Sequence, residues 1–342
     1  MNENLREVLI VKLSALGDVI HALPVSYAIK ETFPDAKVTW VVEPPSLELL
    51  KMNPCVDKIL LFNKKKFRSF KGFIREFFPF RHELQKHNYD AVLDLQGLFK
   101  SAAIAFFAKS NIKLGICNMR EMSGKISAPV IGENAHGHIV EQYLDTARAI
   151  GCAVNEVVFP INIPIDEVEK AHAIMNHYGM REGNPYVVFV VGANWPNKRW
   201  PPPNFAALGD WFYELAVVPV LVGNGEQEAQ FAAEIEAKME IPPINLVNRT
   251  NIPQLAHVLR SSRLVIGGDT GPVHMAAALG VRTIMLMGPT NVERNGAFGQ
   301  LQNVIEVERP CKGCWKRFCP KGEICLEKIP VSFVEEKIKN MT

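Results

Sequence analysis

Short apolar runs alternate with longer stretches of helical spacing along the whole chain. The first run, residues 8–11, is rich in β-branched side chains; a turn follows, and then helical spacing over 19–30. Runs at 37–42, 57–62 and 89–95 read as further strands. Around 155–164 the periodicity is lost and prolines appear, which marks a linker. The alternation then restarts, with strands predicted at 186–191, 218–222, 244–246, 264–266 and 283–287. Helices are predicted between them at 204–214, 226–239, 252–261 and 273–279, and a last one at 331–339. Brief apolar runs alternating with helices predict a parallel, doubly wound sheet. Because the pattern occurs twice, the expected fold class is α/β of the GT-B type: two doubly wound Rossmann-like domains facing across a cleft. The expected domains are 1–160 and 161–342, with the last helix, about 330–342, packing back on the N-terminal domain. In such folds ligands bind outside the carboxyl ends of the strands.

The most informative stretch lies at one of those ends. Gly268, Asp269, Thr270, Gly271, Pro272, Val273 and His274 join the strand at 264–266 to the helix that follows. The first N–H groups of a helix have no partners within it, and with the helix dipole they suit a phosphate or diphosphate. Asp269 and Thr270 are expected to cap that helix, and His274 to donate to the same anion. A plain capped helix with glycine at the turn is the competing reading.

Composition narrows the class. The chain has 342 residues, 48% of them hydrophobic and 22% charged, with a net charge of +2, as in a globular protein. No apolar run reaches the roughly 18 residues that span a bilayer. Glu3 and Glu7 stand where a signal peptide would be basic, so a cytoplasmic location is expected.

Four other segments carry candidate chemistry. After the first strand come Lys12, Leu13, Ser14, Ala15, Leu16, Gly17 and Asp18. One glycine is too few for a dinucleotide fingerprint, which argues against a Rossmann oxidoreductase. Asp18 reads either as an N-cap or as a carboxylate aimed at the cleft as a general base. After the strand at 186–191, Asn194, Lys198 and Arg199 sit in a loop with Trp195 and Trp200, and the two cations suit a diphosphate. Asp94, Gln96 and Lys100 follow the strand at 89–95, and Arg120 lies in a later loop as an anion contact. Lys64, Lys65, Lys66 and Arg68 begin a basic segment that runs to Arg81 with interleaved phenylalanines. No nucleic-acid motif accompanies it, so no nucleic-acid partner is expected. An anionic membrane surface fits it better, the alternative being a helix with its apolar face in the core. Finally, Cys311, Cys314, Cys319 and Cys325 cluster near the C-terminus. In a reducing compartment they read as a structural zinc site or as unligated thiols.

Together these pieces resemble glycosyltransferase family 9, the ADP-heptose:lipopolysaccharide heptosyltransferases, along nearly the whole chain. The carriers are Leu9 to Pro24, Trp40 to Glu43, Tyr89 to Ala102, Lys198 to Pro201, Asp269 to His274, and Gly288, Pro289 and Thr290. The first-domain wording most resembles the heptosyltransferase I branch, which adds the first heptose to the Kdo region of lipid A. The resemblance implies an N-terminal acceptor domain, a C-terminal nucleotide-sugar domain, and inverting transfer with no metal or cofactor required. Asp18 matches the family's proposed catalytic base, Lys198 the lysine on the donor diphosphate, and Asp269, Thr270, Gly271 and His274 the donor-binding turn. Arg120 matches an acceptor arginine, and Lys64 to Arg68 the region that meets phosphorylated Kdo–lipid A. The implied partners are ADP-heptose, a Kdo–lipid A acceptor and the cytoplasmic face of the inner membrane. Two departures stand out: Ala193 and Asn194 replace a threonine pair, and an acidic ribose contact is replaced near Asn245. The alternatives are heptosyltransferase II or another nucleotide-sugar transferase of the family, and, in a different class, a non-catalytic anionic-lipid-binding protein.

Overall fold

The computed structural model describes residues 5–67, 70–181 and 183–341. They divide into two compact units, Met1–Asn162 and Ile163–Thr342. The strands of the first are β1 (Glu7–Val11), β2 (Lys37–Val42), β3 (Lys58–Leu61), β4 (Ala91–Asp94), β5 (Lys113–Gly115) and β6 (Ala128–Pro129). Its helices are α1 (Leu16–Thr32), α2 (Leu47–Lys51), α3 (Phe70–Leu84), α4 (Phe99–Phe107) and α5 (Ile139–Ala149). The second unit has strands β7 (Tyr186–Val190), β8 (Val218–Val222), β9 (Ile244–Asn245), β10 (Leu264–Gly268), β11 (Thr283–Met287) and β12 (Val304–Glu306). Its helices are α6 (Ile165–His177), α7 (Pro202–Glu214), α8 (Glu226–Lys238), α9 (Ile252–Arg260), α10 (Gly271–Ala278), α11 (Val292–Asn295) and α12 (Val331–Lys339).

The two sheets repeat one topology. The first is ordered β3-β2-β1-β4-β5-β6 and the second β9-β8-β7-β10-β11-β12, every pairing parallel. Ile10 stands between Trp40 and Leu93, and Ile266 between Phe189 and Ile284. Such central positions are covered on both faces, so their strands are apolar at every residue rather than at alternate ones. β7, β10 and β11 are buried along their full length. In both sheets the order reverses beside the first strand of the unit, between β1 and β4 and between β7 and β10. The loops leaving those four strands therefore lie where open α/β sheets bind ligands.

The short strands β5, β6 and β12, of which β6 and β12 are edges, have no counterpart among the predicted strands. The last helix contributes to the second unit's own core. Val334 of α12 is fully buried there with Leu326 and Ile329, and the Trp200 indole nitrogen donates to the Ile329 carbonyl at 2.9 Å.

Candidate active site

In the first unit the chemistry gathers on the loop after β1. Asp18 is the third residue of α1, not its N-cap, a place taken by Ala15. Its Oδ2 accepts from the Ala15 backbone N–H at 3.1 Å, which fixes the carboxylate at the helix start and leaves it half-buried. The loop is held from the side by Gln96, whose Oε1 accepts from the N–H groups of Leu13 (3.1 Å) and Ser14 (3.2 Å). Gln96, expected to touch the acceptor, thus spends its amide oxygen on positioning the turn that carries Asp18. Asp94 is fully buried, with Oδ1 accepting from the Gln96 and Gly97 N–H groups, so it shapes its turn.

Pattern reading passed over Lys12. Its ammonium is buried and donates to the Leu95 carbonyl at 3.0 Å and the Tyr143 hydroxyl at 2.7 Å. Burial pulls its pKa down, but Tyr143 and the carboxylates of Asp18 and Asp94 outweigh that and hold it above the ordinary lysine value. The signal available in the sequence was a lysine directly at the end of a buried strand.

The other first-unit candidates are dispersed. Lys100 donates to Glu43 at 2.8 Å, Lys64 is 3.9 Å from the same carboxylate, and Lys66 pairs with Glu76 at 3.2 Å. Arg120 is exposed, and its backbone N–H is pinned to the Gly97 carbonyl at 2.9 Å. Arg68 and the Lys65 side chain lie outside the described part of the molecule.

The second unit brings its predicted residues together more tightly than spacing suggested. Asp269, at the end of β10, is buried and accepts three hydrogen bonds. Lys198 donates to Oδ2 at 2.5 Å, Thr290 to Oδ2 at 2.6 Å, and His274 Nε2 to Oδ1 at 2.8 Å. Burial alone raises the Asp269 carboxyl, yet His274 and Lys198 more than reverse this and hold it far below the usual carboxylate range. Neither Asp269 nor Thr270 caps α10, contrary to expectation: Thr270 is the N-cap residue but makes no side-chain cap bond, and its hydroxyl donates to the Gly268 carbonyl. Pro272 has no N–H and the Val273 N–H donates to the Thr270 carbonyl at 3.1 Å, so the open donor at the start of this eight-residue helix is the Gly271 N–H, beside an ammonium held by a buried carboxylate. His274 Nε2, expected on a bound anion, is committed to Asp269.

Gly268 explains how the loop after β7 reaches this turn. A Cβ at Gly268 would overlap the Lys198 carbonyl oxygen, so the Lys198 backbone lies directly on the end of β10. Gly268→Ala is expected to push that loop away and to lower the melting temperature by several degrees, which calorimetry of the variant checks.

A match to the family model described as glycosyltransferase family 9 (heptosyltransferase) extends over residues 77–325, most of the chain. The chain belongs to glycosyltransferase family 9. This family 9 chain is 29% identical to lipopolysaccharide heptosyltransferase 1 of Pseudomonas aeruginosa, over 91% of the chain and 87% of that protein. Its fold is shared with a family 9 glycosyltransferase from Veillonella parvula (TM-score 0.86, 21% identity, covering 99% of this chain and 98% of that one). It is also shared with the E. coli heptosyltransferase WaaC solved with ADP (TM-score 0.77, 24% identity, covering 98% and 99%). The protein is therefore a glycosyltransferase, with the two doubly wound units of the GT-B fold.

Around the Asp269 network, the family 9 chain adds features that pattern reading missed. Thr290 was visible only as part of a family motif. Glu228, near the start of α8, lies over Gly192, Gly223 and Gly225, where a Cβ at any of the three would press on it. These glycines open the ends of β7 and β8 for one carboxylate, the group type that holds ribose hydroxyls in such sheets. Asn245 is less suited to that task than expected. Its Nδ2 donates to Glu236 at 3.0 Å and its Oδ1 accepts from the Val247 N–H at 2.9 Å. It lines a cavity of about 610 Å³ with Tyr178, Glu236, Asn248 and Arg249, and neither Lys198 nor Asp269 borders that cavity.

Asn194 is exposed, and its carbonyl accepts from Arg317 at 3.2 Å, while Asn197 Nδ2 donates to the Lys316 carbonyl at 2.9 Å. The Gly313 N–H donates to Gly288 and the Trp315 N–H to Pro289. The cysteine-rich segment therefore braces the Lys198 and Thr290 loops. Its thiols are placed unevenly: Cys311 and Cys314 are exposed, Cys319 is half-buried and Cys325 is buried. Among the described residues, no three Cys, His, Asp or Glu side chains are disposed to hold a metal ion.

Proposed function

We propose that this enzyme transfers heptose from ADP-L-glycero-β-D-manno-heptose to the Kdo–lipid A inner core, with inversion and without a metal ion. The observation that carries the reading is the Lys198 ammonium, held on buried Asp269 beside the uncapped start of α10. Asp269 offsets the Lys198 charge but fixes the ammonium in place, with N–H groups left to donate to a diphosphate, as a leaving ADP needs. Similarity to WaaC, which was solved with ADP, supports the choice of nucleotide. Glu228 is assigned to the ribose hydroxyls in place of Asn245.

The acceptor hydroxyl oxygen forms a bond to the anomeric carbon as the bond from that carbon to the diphosphate oxygen breaks. The electron pair leaves with ADP, where Lys198 and the Gly271 N–H at the start of α10 stabilise it. The hydroxyl proton passes to the Asp18 carboxylate. A single displacement of this kind inverts the anomeric centre. Lys64, Lys66 and Arg120 are assigned to the anionic acceptor, and the enzyme is assigned to the cytoplasmic face of the inner membrane.

Mass spectrometry of the product from ADP-heptose and Kdo–lipid A tests the reading, and a panel of other nucleotide sugars and heptosylated acceptors tests the heptosyltransferase II alternative. Transfer is expected to continue unchanged in excess EDTA. Its abolition there would sink the metal-free account.

A further inference from the structure

We propose that the outer face of α4, together with Phe78 of α3, docks on the anionic surface of a lipid bilayer. The proposal deepens the reading above, which gives the enzyme a lipid acceptor, by naming the surface and its partner.

α4 carries one charged side chain, Lys100, in nine residues. Its inner face buries Ala102, Ile104 and Ala105. Its outer face is apolar as well: Phe99 and Phe106 are 62% and 61% exposed, with the half-buried Ala103 between them. Positions i, i+4 and i+7 form one stripe, here about 10 Å long. A helix that is apolar all round is normally covered on every side. Phe78 of α3 is 56% exposed and extends the stripe. Its ring contacts Phe77, which meets Phe107 at 5.2 Å, and Phe107 in turn contacts Phe106.

Cations surround this aromatic row. The Lys113 ammonium is 6.0 Å from the Phe106 ring and donates to the Phe106 carbonyl at 3.2 Å. The Arg81 guanidinium is 5.1 Å from the Phe107 ring. Arg75, one turn before Phe78, has a largely exposed side chain that pairs with Glu76 at 3.2 Å, and Lys109 is exposed, so cations outnumber the acid here. An acid stands at the other end, where Glu121 accepts from the Phe99 N–H. The Phe78–Phe106 end is therefore the positive one.

Phenylalanines with a basic border suit the boundary between headgroups and acyl chains of an anionic leaflet. The three exposed rings offer about 300–450 Å² of apolar surface. That falls well short of the roughly 800 Å² per partner of a stable protein interface. Among the described residues no helix is long and apolar enough to cross a membrane, so this face would lie on the bilayer.

The test is co-sedimentation of the full chain, without donor or acceptor, with vesicles of phosphatidylcholine alone or mixed with phosphatidylglycerol. The wild type is expected to bind the mixed vesicles at least tenfold more tightly. Phe78→Ser/Phe99→Ser/Phe106→Ser is expected to lose at least tenfold of that binding with an unchanged melting temperature. Hydrogen exchange of the wild type supplies a readout independent of any variant: the α4 amides should gain protection on mixed vesicles. Equal binding by wild type and triple variant, no protection of α4, or a wild-type dimer that the triple variant dissociates would each overturn the proposal. A chain that heptosylates a detergent-dispersed acceptor but ignores vesicles would overturn it while leaving the transferase reading intact.

Discussion

Asp18→Asn is expected to lower heptosyl transfer by about 10²–10⁴-fold while ADP affinity stays within twofold. The size is that of losing a positioned general base. Asparagine is the informative replacement because its amide oxygen can still accept from the Ala15 N–H, the bond that seats the Asp18 carboxylate at 3.1 Å. Asp18→Ala removes that bond too and is expected to cost about 1 kcal/mol of stability besides the activity. The residues proposed to hold the donor belong to the other unit, so ADP titration by calorimetry should not register the change. Single-turnover transfer to a saturating acceptor reads the chemical step. If Asp18→Asn transferred within a few-fold of wild type, the proton would have to leave by another route. Lys12→Met is expected to slow transfer as well, because the buried ammonium that ties the end of β1 to the Leu95 carbonyl and the Tyr143 hydroxyl is gone.

Asp269→Ala is expected to be the most damaging change in the second unit. It leaves the Lys198 ammonium, the His274 imidazole and the Thr290 hydroxyl without their shared acceptor. Breaking a buried ion pair from one side costs about 3–5 kcal/mol. The Lys198 side chain also loses the anchor that holds it near α10, so ADP affinity and turnover should fall together. Asp269→Asn separates charge from shape and should retain part of the stability.

The pH dependence has a definite sign. His274 and Lys198 hold the folded Asp269 carboxyl below its ordinary value of about 4, despite burial. A depressed carboxyl contributes stability above its unfolded pKa and loses that contribution as pH falls through the folded value. The wild type should therefore lose stability below about pH 4, and Asp269→Asn should show a flatter curve there. Melting temperatures across pH 2–7 measure the difference. Parallel curves for the two proteins would mean that the carboxylate is not held by these partners.

The central strands were legible because each is an apolar run buried on both faces, and β2, β8 and β11 begin and end where the residues suggest. β6 has two residues, and length alone hides such an edge; β9, also of two residues, was signalled by the run at 244–246. Site residues were legible as members of strand-end loops. Their hydrogen-bond roles were not. Asp18 looked like a cap and is the third residue of its helix; Asp269 looked like a cap and serves three other side chains. Gln96 looked like an acceptor contact and braces the turn before Asp18.

By itself the order of residues determined two parallel sheets, the family, and which turns lie at the ends of strands. Periodicity and short motifs suffice for that, because burial on a strand and the geometry of a turn are local properties. Only the tertiary structure decided what Asp269 holds. Its partners stand 71, 5 and 21 positions away, on the loop after β7, on α10 and on the loop after β11. Which oxygen each one reaches depends on three strands ending side by side, and spacing along the chain does not encode that.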